Sequence, residues 1–132
     1  ALEDPHLVEG GSFPAISSID SQSPVPGLAP YCASKAAIEA LVRSAALELG
    51  PSVVRANAVL PGLVRTPLME AQLQRPGVEE AFLAQTPLRG IAAGAEIGDV
   101  VAFLASPAAR WITGASIPVD GGMALTEHPK LD

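Results

Sequence analysis

The chain has 132 residues, 48% of them hydrophobic, and a formal net charge of −6. That length can bury one sizeable core and is short for two, so a single partial domain over residues 1–132 is expected. Six arginines and two lysines are scattered without a basic stripe or aromatic platform, which excludes the usual electrostatic footprint of a nucleic-acid binder. Cys32 is the only cysteine, so neither an internal disulfide nor a thiolate metal cage can form, and a reducing, cytoplasmic setting is expected. No apolar run approaches the ~20 residues of a membrane span, and the acidic start Ala1-Leu2-Glu3-Asp4-Pro5 does not resemble a signal peptide. Alanine at position 1 suits processing or a piece of a longer chain. Terminal segments 1–9 and 124–132, which carry His6 and His128, are expected to be solvated tails.

In chain order, Ser12 to Ser17 follows Gly10-Gly11 as a short apolar run and predicts a buried strand, although Pro14 removes one ladder donor. Asp20 to Pro30 is a Ser, Gln, Pro and Gly loop. A helix is predicted from Ala29 to Leu49, with Pro30 in its first turn and Gly50-Pro51 as its stop. Ile38, Leu41, Val42, Ala45 and Leu49 follow the i, i+3, i+4, i+7 rhythm of a buried face. Val53 to Leu60 is rich in β-branched residues and predicts a second strand that ends in the Pro61-Gly62 turn. Residues 64–90 carry Met69, Leu73, Phe82 and Leu83 between prolines, which predicts two short helices in a flap over a ligand. Glu96 to Ala105 predicts a helix with Ile97, Val100, Val101 and Leu104 inward. Ala115 to Val119 predicts the last strand, with Pro118 tolerable at a sheet edge and Trp111 anchoring it. Strands alternating with helices give an α/β class and a parallel sheet of about three strands covered on both faces.

The most informative pattern is Tyr31-Cys32-Ala33-Ser34-Lys35 at the start of the long helix, with Ser18 upstream. Tyr31 is the only tyrosine. Four residues along a helix put two side chains on one face, so the phenol of Tyr31 and the ammonium of Lys35 stand side by side. A neighbouring positive charge favours the phenolate and brings such a phenol toward general acid or base work. The bland alternative is a helix-start tyrosine and a surface lysine paired with Glu39 at i+4.

These stretches together resemble the short-chain dehydrogenase/reductase family. The matching residues are Gly11-Ser12 through Ile16-Ser17-Ser18, Pro26-Gly27, Tyr31 to Lys35 with Ala36-Ala37, and Arg55-Ala56-Asn57-Ala58-Val59 with Pro61-Gly62 and Thr66. Pro87-Leu88, Phe103 to Ser106, Ile112-Thr113-Gly114 and Val119-Asp120-Gly121-Gly122 follow in the family's order. The resemblance covers Gly10 to Leu125 and implies the C-terminal portion of a Rossmann-like doubly wound sheet. It further implies that Tyr31 exchanges a proton with the oxygen of a secondary alcohol or ketone, that Ser18 hydrogen-bonds that oxygen, and that Lys35 supports Tyr31 and binds the nicotinamide ribose. Pro61, Gly62, Val64 and Thr66 resemble the loop against the nicotinamide of NAD or NADP. The long helix 29–49 resembles the family's dimer contact, which implies a homo-oligomer. An epimerase or dehydratase of the same broad superfamily would use the same tyrosine and lysine, but the Pro61 to Thr66 loop and the Val119 to Gly122 ending favour the reductases.

The departures are equally plain. The family's first nucleotide-binding βαβ half, with its glycine-rich turn before a helix, has no counterpart in these 132 residues, and neither does the relay asparagine expected before Ser12. Gly10-Gly11 precedes a strand rather than opening a helix. Two readings follow, an oxidoreductase whose catalytic half is this chain, or a truncated, inactive product that only binds or assembles. Among the sites, Ser17 is the rival to Ser18, Pro61-Gly62 could be a plain turn, and Thr66 could be a helix N-cap. Asp120 is expected to serve a turn rather than act as an acid. Met69 and Phe82 are expected to pack the flap.

Overall fold

Apolar strands that alternate with amphipathic helices fold here as the sequence implies, and the computed structural model describes residues 10–126. The segments expected as tails lie outside these residues except for 124–126. There, Met123–Leu125 forms a short 3-10 turn, and the Thr126 hydroxyl donates to the Gln85 carbonyl at 2.7 Å. The strands are β1 (Ser12–Ile16), β2 (Arg55–Pro61) and β3 (Ser116–Val119). They form one parallel sheet in the order β1-β2-β3. Ile16 pairs with Val59, and Pro61 pairs with Val119. Pro118 therefore sits on an outer strand, where a missing ladder donor is tolerated.

Parallel neighbours need long crossovers, and helices supply them. Between β1 and β2 runs α1 (Ala29–Leu49); between β2 and β3 run α2 (Pro67–Leu73), α3 (Val78–Gln85) and α4 (Gly94–Ala105). β2 is the buried spine, with Ala56, Ala58, Val59 and Leu60 fully enclosed. Its alternating side chains divide between two cores. Ala56, Ala58 and Leu60 pack with Val42, Ala45, Ala46 and Leu49 of α1, while Val59 packs with Ile97, Leu104 and Ala109.

Four local expectations differ from the structure. The second strand begins at Arg55 rather than Val53, because Val53 adopts a left-handed conformation with φ 60° that closes the turn Gly50–Ser52. Gly50 ends α1 as expected but stays right-handed, and the left-handed residue is Val53, three positions on. On α1 the buried stripe is Glu39, Val42, Ala45, Ala46 and Leu49, and Leu41 is half exposed. Trp111 is 96% exposed and anchors nothing among the described residues. The helix expected from Glu96 starts at Gly94, because the Glu96 carboxylate reaches back to accept from the Ala93 N–H at 2.8 Å.

Polar groups on β2 lock the third strand in place. Asn57, fully buried, donates to the Ile112 carbonyl at 2.9 Å and accepts from the Ala115 N–H at 3.0 Å. Arg55 donates to the carbonyls of Ile112 and Ser106. The Thr113 hydroxyl accepts from the Ala56 N–H at 3.1 Å. Asn57→Ala leaves the part-buried Ala115 N–H without its partner and the Ile112 carbonyl with Arg55 alone, and a lost partner costs on the order of 1–3 kcal/mol. Urea unfolding should therefore place Asn57→Ala about 1–3 kcal/mol below the parent.

Glu39 is buried, with 4% of its surface exposed. Burial alone would raise its pKa, but hydrogen bonds from Ser116, Ser21 and Gln22 and the charge of Arg43 outweigh it and hold the carboxyl below the ordinary glutamate value of 4.5. A folded pKa below the unfolded one means stabilisation that is complete above about pH 4.5 and lost as the pH falls through the folded value. Unfolding free energies measured across the acid range should accordingly fall less steeply in Glu39→Gln than in the parent.

Candidate functional site

β1 and β2 are parallel, so their carboxyl ends open on the same edge of the sheet, where ligands of open α/β sheets bind. At the end of β1 the chain continues through Ser17, whose N–H donates to the Val59 carbonyl at 2.8 Å, and then Ser18. Both serines are buried. They face different partners. The Ser17 hydroxyl donates to the Lys35 carbonyl on α1 at 2.8 Å. The Ser18 hydroxyl caps the turn Ile19–Ser21, accepting from the Asp20 N–H at 3.1 Å. That bond uses a lone pair and leaves the Ser18 hydroxyl proton for donation.

Tyr31 and Lys35 sit one turn apart on α1, as the spacing predicts. The Lys35 ammonium lies 5.7 Å from the centre of the Tyr31 ring, within cation–π range. The same ammonium donates to the Ile16 carbonyl at 3.3 Å. Glu39 is not its partner; that carboxylate accepts from the Gln22 amide at 2.8 Å and faces Arg43 at 4.0 Å. Lys35 is thus drawn toward the end of β1 by side chain and backbone together. Tyr31 is 42% exposed, so its ring is open to a ligand. Cys32, the next residue, is buried and free.

The second group of expected residues lies at the end of β2. Pro61 is the last residue of that strand, and the Gly62 N–H donates to the Val119 carbonyl at 3.1 Å. A Cβ at Gly62 would stand 2.7 Å from the Asp120 Cβ, so a glycine is required by the close approach of the turn after β3. Val64 forms an isolated parallel bridge with Ala92 and packs against the core behind β2. Thr66 is the N-cap of α2, its hydroxyl accepting from the Met69 N–H at 3.3 Å. Asp120 serves a turn, accepting from the Gly122 and Ala124 N–H groups.

The segment expected as a flap contains α2 and α3, and Arg65 ties them together. Its guanidinium bonds Glu79 on α3 and Glu70 on α2, and these carboxylates favour the charged guanidinium. Phe82 packs against the core on the α1 side of the sheet. The far end of the segment is clamped on the last turn, where the Leu88 N–H donates to the Gly121 carbonyl at 3.1 Å.

Sequence reasoning did not single out Ser17 as a tie or Glu39 as buried. A signal for Glu39 was present, since positions 39, 42, 46 and 49 share one helical face. For Ser17 no sequence pattern specifies a bond to a helix carbonyl 18 residues away.

The family model described as enoyl-(acyl carrier protein) reductase matches residues 1–124. Dehydrogenase/reductase SDR family member 4 of Bos taurus is 40% identical over 113 residues, covering 86% of this chain and 40% of the relative. A short-chain type dehydrogenase/reductase from Mycobacterium ulcerans superposes with a TM-score of 0.88 at 37% identity, over 92% of this chain and 44% of that one. The structure of 4-hydroxyisoleucine dehydrogenase complexed with NADH superposes with a TM-score of 0.86 at 29% identity, over 89% of this chain and 49% of that one. The chain spans less than half the length of these three proteins. With the parallel sheet, the ordered motifs and these matches in agreement, the chain belongs to the short-chain dehydrogenase/reductase family.

Proposed function

We propose that this chain is the proton-transfer half of an NAD(P)-dependent oxidoreductase acting on a secondary alcohol or ketone. The observation that carries the reading is the Lys35 ammonium, 5.7 Å from the Tyr31 ring centre and bonded to the Ile16 carbonyl. It gathers Tyr31, Lys35 and the strand end bearing Ser18 at one edge of the sheet. The donor set suits a nicotinamide ribose. One of the three ammonium N–H bonds goes to Ile16, and two remain for ribose hydroxyls. When bound, the nicotinamide supplies or accepts the hydride.

The chain's own residues then handle charge and the proton. Hydride arrival at a carbonyl carbon builds negative charge on the oxygen, and a donor placed in advance lowers that barrier. Ser18 donates its hydroxyl proton toward that oxygen while the Asp20 N–H, bonded to the same Oγ, stabilises the polarised hydroxyl. Tyr31 protonates the oxygen in reduction and removes the alcohol proton in oxidation, with the Lys35 ammonium beside its ring. Pro61, Gly62, Val64 and Thr66 shape the strand end that flanks the nicotinamide, and residues 64–90 form a flap over the substrate. Coenzyme choice and the pyrophosphate site lie outside these residues, in a dinucleotide-binding half joined to this chain.

A buried, free Cys32 suits a reducing compartment, which we take to be the cytoplasm. Among the described residues no helix is long and apolar enough to cross a membrane. A homo-oligomer through α1 is supported by Leu41 and Leu47, 54% and 81% exposed on a helix whose other face packs on the sheet.

In the whole protein carrying this chain, Tyr31→Phe should lower the nicotinamide-dependent absorbance change at 340 nm by about 10²-fold or more, the usual contribution of a general acid. An unchanged rate would assign the proton to another group. Light scattering should find the parent as a dimer or larger, and Leu47→Glu should shift it toward monomer; a parent that is monomeric at all concentrations would remove α1 as an interface.

A further inference from the structure

Ser18 can meet a substrate oxygen only if the turn that carries it is held still relative to Tyr31. The backbone of Ser18 is extended, and the chain then closes on itself: the Ser21 N–H and hydroxyl both reach the Ser18 carbonyl, and the Gln22 N–H donates to Ile19. Ile19 buries its side chain in the core with Val42 and Ala45 of α1, and directional polar bonds decide how the rest of the turn is held. Two ties connect it to α1. Before the turn, the Ser17 hydroxyl reaches the Lys35 carbonyl. After it, the Gln22 amide donates to the Glu39 carboxylate at 2.8 Å. The two anchor points, Lys35 and Glu39, are one helical turn apart on the face that carries Tyr31.

We propose that Glu39 is a positioning residue: its buried carboxylate holds Gln22, which closes the turn, and so fixes the segment that presents the Ser18 hydroxyl. This inference rests on the oxidoreductase reading for its catalytic consequence. The geometry is unusual for a helix carboxylate. An unpaired charge with 4% exposure would be strongly penalised, and Gln22 and Arg43 are the partners that face Glu39. Gln22 comes from the turn and Arg43 from the next turn of α1. A surface salt bridge would need only Arg43. The additional donor, Gln22, comes from the segment next to Ser18, and the carboxylate bridges that segment to the helix of Tyr31 and Lys35.

The test has two arms. On this chain alone, hydrogen exchange followed by mass spectrometry should be about tenfold faster in residues 18–23 of Glu39→Gln, with β2 unchanged, as local opening predicts. Unchanged exchange in 18–23, or an equal acceleration throughout β2, would overturn the proposal. In the whole oxidoreductase, Glu39→Gln should lower kcat about tenfold with the coenzyme KM unchanged, and this loss should vanish in a Ser18→Ala background, because coupled residues are non-additive. The same fold loss in that background, or no loss in the parent, would overturn it. If Glu39→Gln does not fold, Gln22→Ala, which removes one bond and keeps the charge, is judged by the same two criteria. An inactive parent, or a fully active Tyr31→Phe, would sink the oxidoreductase reading, while the exchange arm judges the grip on the turn by itself.

Discussion

The hydroxyl of Ser17 donates to the carbonyl of Lys35, and the rest of the site depends on where that bond puts α1. A helix packed on a sheet through small and aliphatic side chains can slide or rotate with modest loss, because apolar contact is not directional. Rotation by one residue would carry Tyr31 about 100° around the axis and away from the strand end. A buried hydroxyl facing one particular carbonyl removes that freedom, since losing the match leaves a buried polar group unpaired at a cost of about 1–3 kcal/mol. Lys35 adds a second tie to the same strand end through Ile16. Ser17 is in turn bound to β2 through its N–H, so α1, β1 and β2 share one reference point.

The opposite side of the sheet uses the same device. Valine and leucine contacts between Val59, Ile97 and Leu104 supply the burial, and Arg55 and Asn57 supply the direction. Both side chains reach backbone groups between residues 106 and 115, which brings β3 into register after a crossover of more than 50 residues. Close glycine contacts then join the end of β2 to the segment above it. Gly62 lies against Asp120, Gly121 against Thr86, and Gly122 against Pro87. The segment 64–90 is therefore held at its far end by the turn after β3, and its two helices are linked to each other by Arg65.

The outer edge of β1 has a different character. Among the described residues β1 pairs only with β2, and Phe13 and Ile16 are each 43% exposed. Unpaired backbone flanked by apolar side chains is a surface that favours a further strand or another chain. A chain spanning 40% of its bovine relative and 44% of the mycobacterial structure leaves more than half of those proteins unmatched, which accords with an edge of this kind.

Much of this was legible in the residues themselves. The bounds of α1, the parallel α/β class and the face shared by Tyr31 and Lys35 follow from periodicity and from the i, i+4 geometry of a helix, which are local properties of the backbone. The N-cap reading left open for Thr66 is likewise local, and Thr66 caps α2. Contacts between distant segments were not legible. The start of β2 was displaced by the left-handed Val53, Leu41 turned outward while Glu39 turned in, and Trp111 stayed in solvent, because burial depends on which surfaces meet rather than on apolarity alone. Ser17 against Lys35, Asn57 against Ile112 and Glu39 against Gln22 join residues 17 to 55 positions apart. Hydrogen bonds of that range carry no periodic trace in the chain, so only the folded arrangement decides them.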